Sequence, residues 1–167
     1  IESCREVTPE LVDRLKKDSG NLDRIEPLLF EKVVAELMAG NGFEKVKHVG
    51  QVKHTSADIF ASYGGGEFNE MRFFVEVKKE KGRICVNVFD QIIGAWTSER
   101  LLSGPGAGCI GAMIVSLSGF TKFQKYTPED VHKLGVRLKD RDDLVRWLDG
   151  YVEHTNGLWL PNHSLLQ

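Results

Sequence analysis

The stretch FFVEVKKEKG, residues 73–82, decides how this chain is read. On a strand successive side chains point to opposite faces, so Phe73, Val75 and Val77 share one face and Phe74, Glu76 and Lys78 the other. The first face reads as core. The second starts as core and then sets a carboxylate and an ammonium two residues apart. On a solvated surface such a pair is a weak ion pair of little consequence. Within so apolar a run it asks what surrounds it.

Residues 71–79 read as a third strand, hairpin-paired with a second strand at 57–63 through Gly64-Gly65-Gly66. Residues 43–49 read as a first strand of imperfect alternation, and 51–56 as a loop. Upstream, Thr8 and Pro9 have the chemistry of an N-cap and first helical residue, opening a helix to about Lys17 that Ser19-Gly20-Asn21 ends. Pro27 opens a second helix, in which Phe30, Val33, Val34, Leu37 and Met38 form one apolar stripe, and Gly40-Asn41-Gly42 stops it. Downstream, 87–102 reads as a helix with Val88, Ile92 and Ala95 on one side. Gly104–Gly108 reads as a loop, and 109–117 as a buried central strand because it is almost unbroken in apolar residues. A short helix over 122–125, another from Pro128, a last strand at 136–139 and a last helix at 142–151 complete the chain. The order is that of an α/β/α sandwich around a central mixed β-sheet flanked by helices.

The whole composition sets bounds on function. The chain has 167 residues, 41% hydrophobic and 28% charged, which suits one globular domain with a core of its own. No apolar run approaches a membrane span and no signal-peptide pattern is present, so no membrane partner is expected. Cys4, Cys85 and Cys109 are far apart and odd in number, which fits a reducing, cytoplasmic setting and neither a disulfide framework nor a zinc cluster. A net charge of −2 gives no compositional hint of nucleic acid. The sequence begins at Ile1 and is read as a processed chain or a domain of a longer polypeptide. Its apolar end, with Leu158, Trp159, Leu160, Leu165 and Leu166, is expected to pack on the domain or on a neighbour.

Three carboxylates sit where packing alone would not put them. Hairpin pairing brings Asp58 beside Glu76, and a helix laid on the sheet can aim Glu31 at the same place. Carboxylates gathered this closely raise one another's pKa. A hard divalent cation removes that penalty, since Mg²⁺ takes oxygen ligands and keeps positions for water and phosphate. Such an ion acidifies a bound water and neutralises charge on a phosphate, and a lysine beside the water can position it. Singly, Asp58 reads as a strand-end residue and Glu31 as the rim of an amphipathic helix. Together with Glu-x-Lys they form a sensible apparatus for hydrolysing a phosphodiester.

The pieces LLFEKVVAELMAGNGF (28–43), SADIFA (56–61), FFVEVKK (73–79), FDQIIGA (89–95), GAMIVSLSGFTKFQKY (111–126) and GVRLKDRDDLVRWL (135–148) follow one another in uninterrupted order. In them the sequence resembles the Mrr-type restriction endonuclease family of the PD-(D/E)xK nuclease superfamily, and distantly the archaeal Holliday-junction resolvases. The resemblance implies a restriction-endonuclease-like fold and an active site of Glu31, Asp58, Glu76, Lys78 and Gln91. Asp58 and Glu76 would ligate metal with the Val77 carbonyl, and with Glu31 directly or through water. Lys78 would serve the attacking water, and Gln91 the phosphate or water. The approach to Asp58, QVKHTSAD, lacks the glycines common in that family. Ser118-Gly119-Phe120-Thr121 matches the family's strand-to-helix turn, with Phe120 as core and Thr121 as N-cap.

The expected activity is a Mg²⁺-dependent DNA endonuclease, with Mn²⁺ as substitute, in restriction of foreign or modified DNA. The alternatives are a structure-specific, resolvase-like nuclease and a non-cleaving DNA-binding module on the same fold. The expected organisation is a helical extension at 1–23, the catalytic domain at 24–151 and the apolar tail at 152–167, with a homodimer and further domains left open. Lys45, Lys47, Lys53, His54, Lys79, Lys81 and Arg83 would form a basic rim for DNA around the acidic centre. His48 and His54, near the expected site, would contact phosphate or assist the metal, and otherwise read as exposed histidines. Gly106-Ala-Gly108-Cys-Ile-Gly111 has the letters of a dinucleotide motif but follows a helix and opens a strand, the reverse of what that site needs. Trp96, Trp147 and Trp159 read as packing residues.

Overall fold

The computed structural model describes residues 7–49, 57–64, 71–102 and 111–152. The expected loop at 51–56 with Lys53 and His54, the tail from 153, Cys4, Cys109 and Gly104–Gly108 lie outside the described residues.

Among the described residues, five helices and a 3₁₀ segment surround one sheet: α1 Pro9–Lys17, the 3₁₀ turn Ser19–Arg24, α2 Pro27–Gly40, β1 Glu44–His48, β2 Ile59–Tyr63, β3 Met71–Lys78, α3 Val86–Leu102, β4 Gly111–Ser116, α4 Pro128–Lys133, β5 Val136–Lys139 and α5 Arg141–Gly150. The sheet runs β1-β2-β3-β4-β5. β1, β2 and β3 pair antiparallel, while β3, β4 and β5 pair parallel, so the sheet is mixed as the sequence predicts. The connections between parallel strands carry α3 and α4.

The start signals act as read. Thr8 caps α1 by accepting from the Leu11 N–H, and the Phe30–Met38 stripe of α2 is wholly buried. That stripe packs with Val12 and Leu15 of α1, Leu144 and Leu148 of α5, and Ile59, Ala61, Val75 and Val77 of the sheet. The opposite face of the sheet is more aromatic: Phe74 meets Phe89, Ile92 and Trp96 of α3 and Phe123 beyond β4. β4 is buried at every residue, as its apolar run requires.

Four local expectations are corrected. Ser19-Gly20-Asn21 does not simply end a helix, because Asp18 accepts from the Gly20 N–H and opens a 3₁₀ turn that buries Leu22. The buried face of α3 is Phe89, Ile92 and Trp96, one residue round from the expected Val88 and Ala95 side. Residues 122–125 are not helical, and Thr121 caps nothing; its N–H and Oγ1 both donate to the Ile84 carbonyl. Aromatic packing holds that segment instead, with Phe123 against Phe89 at 4.8 Å and Phe120 at 6.4 Å. Finally, β2 begins at Ile59, leaving Asp58 just ahead of the strand rather than within it.

Candidate active site

The end of β3 brings Asp58, Glu76 and Lys78 together. Ile59 lies opposite Val75 in the hairpin, so Asp58 falls opposite Glu76. Strand pairing reaches one residue further, since the Asp58 N–H donates to the Val75 carbonyl at 3.0 Å. Beyond that point the carboxylate takes over from the backbone, and Asp58 Oδ2 accepts from the Val77 N–H at 2.7 Å. This bond fixes Asp58 at the sheet end and satisfies an amide that β2 leaves unpaired.

Glu76 and Lys78 share the α3 face of β3, as strand alternation predicts. Lys78 Nζ lies 2.6 Å from Glu76 Oε1, with the side chains 29% and 12% exposed. A cavity of about 310 Å³ opens over them, lined also by Glu80 and by Val88, Gln91, Ile92 and Ala95 of α3. The Val88, Ile92 and Ala95 side of α3 thus borders this cleft, and Gln91 is among its walls.

Glu31 arrives from the other side of the sheet. It projects from α2 to β1, where the His48 Nε2–H donates to its Oε2 at 2.8 Å. The two side chains are 21% and 11% exposed. Its charge still reaches the other carboxylates. Asp58 is pushed above the ordinary aspartate value of 3.8, first by burial and then by Glu31, against the pull of the Val77 amide. Glu76 is pushed above 4.5 by burial, with Asp58 and Glu31 adding to it and the Lys78 hydrogen bond opposing. For Lys78 burial acts downward, but the Glu76 hydrogen bond and the Glu76 and Asp58 charges outweigh it, so its pKa is raised. Lys78 is therefore an ammonium at neutral pH, a donor and a positive charge rather than a base.

Among the described residues, no three His, Cys, Asp or Glu side chains are gathered as a metal cluster. Each carboxylate is held by a protein donor: Glu76 by Lys78, Asp58 by the Val77 amide, Glu31 by His48. The donor chemistry nevertheless fits a hard cation. Asp58 and Glu76 offer carboxylate oxygens whose pKa values are raised by burial and mutual repulsion, and a cation reverses both. The Lys78 contact is to Glu76 Oε1, one of the two carboxylate oxygens.

The basic rim is uneven. Lys45, Lys47, Lys81 and Arg83 are exposed, and Lys45 takes a positive φ of 47° within the irregularity of β1. The Lys79 ammonium is turned inward and donates to the backbone carbonyls of Asp23 and Ile25, tying the end of β3 to the 3₁₀ turn. Sequence reading missed Glu80, which borders the cleft and acts on Lys78. It also missed Asp90, one residue before Gln91, whose two oxygens accept from Tyr126 Oη at 2.8 Å and Lys125 Nζ at 3.1 Å. No local signal marks that contact, which spans 36 residues.

The uncharacterized protein y4cE of Sinorhizobium fredii (strain NBRC 101917 / NGR234) is 25% identical over 167 residues, covering 98% of this chain and 40% of that protein. The chain thus spans well under half of that relative. The structure of restriction endonuclease FokI bound to DNA superposes with a TM-score of 0.54 at 13% identity, over 85% of this chain and 27% of that one. The shared fold is the restriction-endonuclease fold, a mixed sheet with helices on both faces. Residues 22–148 match the family model described as restriction endonuclease, Mrr_cat. By that match, over most of its length, the chain belongs to the Mrr_cat restriction endonuclease family.

Proposed function

We propose that residues 24–151 form a metal-dependent DNA endonuclease unit that hydrolyses phosphodiester bonds in the restriction of foreign or modified DNA. The observation that carries this reading is the end of β3. Half-buried, mutually repelling Asp58 and Glu76 stand beside an equally half-buried ammonium, Lys78, near a cleft lined by Glu76, Lys78 and Gln91. A structural ion pair does not need the second carboxylate, and a core does not tolerate it without a counter-charge. Family membership gives the arrangement its chemistry, and the DNA carried by the FokI complex is the substrate class it suggests.

Asp58 and Glu76 are the residues that would hold Mg²⁺, or Mn²⁺ in its place, with the Val77 carbonyl as a further oxygen and Glu31 completing the set. When bound, the ion supplies an acidified water and neutralises charge on the phosphate. The chain's own groups do the rest. Lys78, released from Glu76, donates to the attacking water or to a phosphate oxygen and stabilises the charge that develops there. Gln91 orients the same groups from α3. His48 holds Glu31 in place from β1. Exposed Lys45, Lys47, Lys81 and Arg83 receive the DNA backbone, with Lys53 and His54 of the approach to Asp58. Further domains, or a second copy of the chain, would supply sequence selection.

The test is plasmid and linear duplex cleavage with a divalent cation varied. Mg²⁺ and Mn²⁺ are expected to support cutting. Ca²⁺, larger and less strict in geometry, is expected to support DNA binding without it. Robust cleavage in excess EDTA would end the metal-dependent reading, and absence of cleavage on unmodified, methylated and branched DNA alike would end the nuclease reading.

A further inference from the structure

A second cavity, of about 610 Å³, lies beyond β5 between that edge strand, α4 and the irregular segment 121–127. Its size is that of a site for a small organic molecule. The walls are apolar and partly flat: Phe123, Tyr126 and Leu138 border it. The rim is basic, with Lys122, Lys125, His132 and Arg137, and no acidic side chain is among its described lining residues. That is a local reversal in a chain of net charge −2. Lys122 and Arg137 are exposed, and Lys125 is committed to Asp90.

The aromatic wall is held in advance of any ligand. Tyr126 Oη donates to Asp90 Oδ1 at 2.8 Å, and the Tyr126 ring packs on Phe89 at 5.2 Å. Phe123 packs on the same Phe89 at 4.8 Å. Lys125 Nζ lies over the Tyr126 ring, 5.0 Å from its centroid, so a base stacked there takes the place of that ammonium on the ring. Asp90 and Phe89 belong to α3, and the next residue, Gln91, borders the Glu76–Lys78 cleft. The helix that borders the cleft thus also backs the aromatic wall of the cavity, though no α3 residue is among the cavity's described lining residues.

We propose that this cavity is a nucleotide-binding site, with a base against the Phe123 and Tyr126 wall and its phosphate on the Lys122 and Arg137 rim. Charge complementarity selects an anion, the apolar flat wall selects an aromatic ring, and a nucleotide joins the two. The choice of ligand rests on the DNA reading above, whereas the cavity does not. The nucleotide can be one unit of bound DNA turned out of its stack, or a free mononucleotide.

The full chain is titrated by calorimetry with dAMP, dCMP, dGMP and dTMP, and with deoxyribose 5-phosphate as the base-free probe. Mononucleotides are expected to bind. The base-free probe should bind about tenfold more weakly, the contribution of one stacked base. Lys122→Glu with Arg137→Glu, both at exposed positions, should weaken mononucleotide binding about tenfold or more, since each reverses a charge at the phosphate. A duplex carrying 2-aminopurine, in Ca²⁺, separates the sources. Brightening on binding that excess mononucleotide suppresses identifies a DNA nucleotide, and a dark duplex with intact mononucleotide binding identifies a free one. The proposal is overturned if no mononucleotide binds, if the base-free probe binds equally well, or if the double variant, folded by circular dichroism, binds as the parent does. None of these readings needs cleavage. An inactive nuclease that binds nucleotides and an active one that does not are therefore distinct results.

Discussion

The two faces of β3 differ by one residue in register and entirely in consequence. Val75 and Val77 turn to α2, where they are 0% and 6% exposed and join a core with α1 and α5. Glu76 and Lys78 turn to α3, behind Phe74. On the first face helix packing is continuous to the strand end. On the second, α3 buries Phe89, Ile92 and Trp96 but leaves a cleft beside Val88, Gln91 and Ala95. A fold can place charged chemistry on a core strand when one covering helix stops short of sealing it. The sealed face then fixes the backbone that aims the open one. Substitutions on the two faces should fail in different ways, and that difference can be measured.

The largest effect is expected on the open face. Lys78→Ala should lower single-turnover cleavage by about 10²–10⁴, the range for a group that moves or stabilises charge at the reacting centre. Divalent binding, followed by calorimetry, should be retained, because a positive charge that competes for Glu76 is gone. Glu76→Ala should lose metal affinity and cleavage together. A folded Lys78→Ala that cuts normally would remove the lysine from the mechanism and make the pair a surface ion pair worth at most about 1 kcal/mol.

A smaller loss is expected where the two faces meet. Glu31 comes from the α2 side, yet its charge is felt by Asp58 and Glu76. His48 fixes it at 2.8 Å. His48→Ala should lower metal affinity and cleavage by about 10–100-fold, as loss of a group orienting a ligand does. Unchanged cleavage by this variant would confine the site to the α3 face.

The sealed face should lose stability, not chemistry. Val77→Ala keeps the backbone groups of residue 77 and removes buried methyl groups, at about 2 kcal/mol of unfolding free energy. Cleavage per folded molecule should be preserved. A variant as stable as the parent but catalytically weak would show that the valine shapes the site directly.

Most of this architecture was legible because its signals are local. The Thr8–Pro9 start, the Phe30–Met38 stripe and the apolar run at β4 each follow from periodicity or capping within a few residues. The alternation of β3 separates Val77 from Lys78 without any knowledge of the fold. What stayed hidden depends on distant partners. Residues 122–125 have helix-compatible letters, but Phe123 and Tyr126 are claimed by Phe89 and Asp90, far back in the chain. The face of α3 was misjudged by one residue because both its stripes are apolar, and only the aromatic core on that side decides between them. The inward turn of Lys79 likewise depends on carbonyls in and just after the 3₁₀ turn, 54 and 56 residues away. For the site, motif order named Asp58, Glu76 and Lys78. The bond from Val77 to Asp58 could not be read, because it exists only where β2 ends.

The smallest effect concerns Asp58 and tests why the open face needs a counter-charge at all. Burial and the Glu31 charge raise its pKa in the folded protein above 3.8, the ordinary aspartate value. Below 3.8 the folded and unfolded chains both carry the proton, and the site costs nothing. As pH rises through the raised folded value, the folded chain must ionise a carboxyl that the unfolded chain ionises more easily. Stability is therefore lost across that window and stays lower above it. Asp58→Asn removes the charge and keeps an oxygen that can accept from the Val77 amide. In EDTA at neutral pH the variant should unfold at a higher temperature than the parent, by a few degrees at most, and the advantage should vanish as pH falls toward 3.8. Added Mg²⁺ should reverse the order, because only the parent gains stability from bound ion in proportion to its saturation. Equal melting temperatures at both pH values would mean that Asp58 is already compensated by the protein, and the electrostatic case for a cation at the end of β3 would fall.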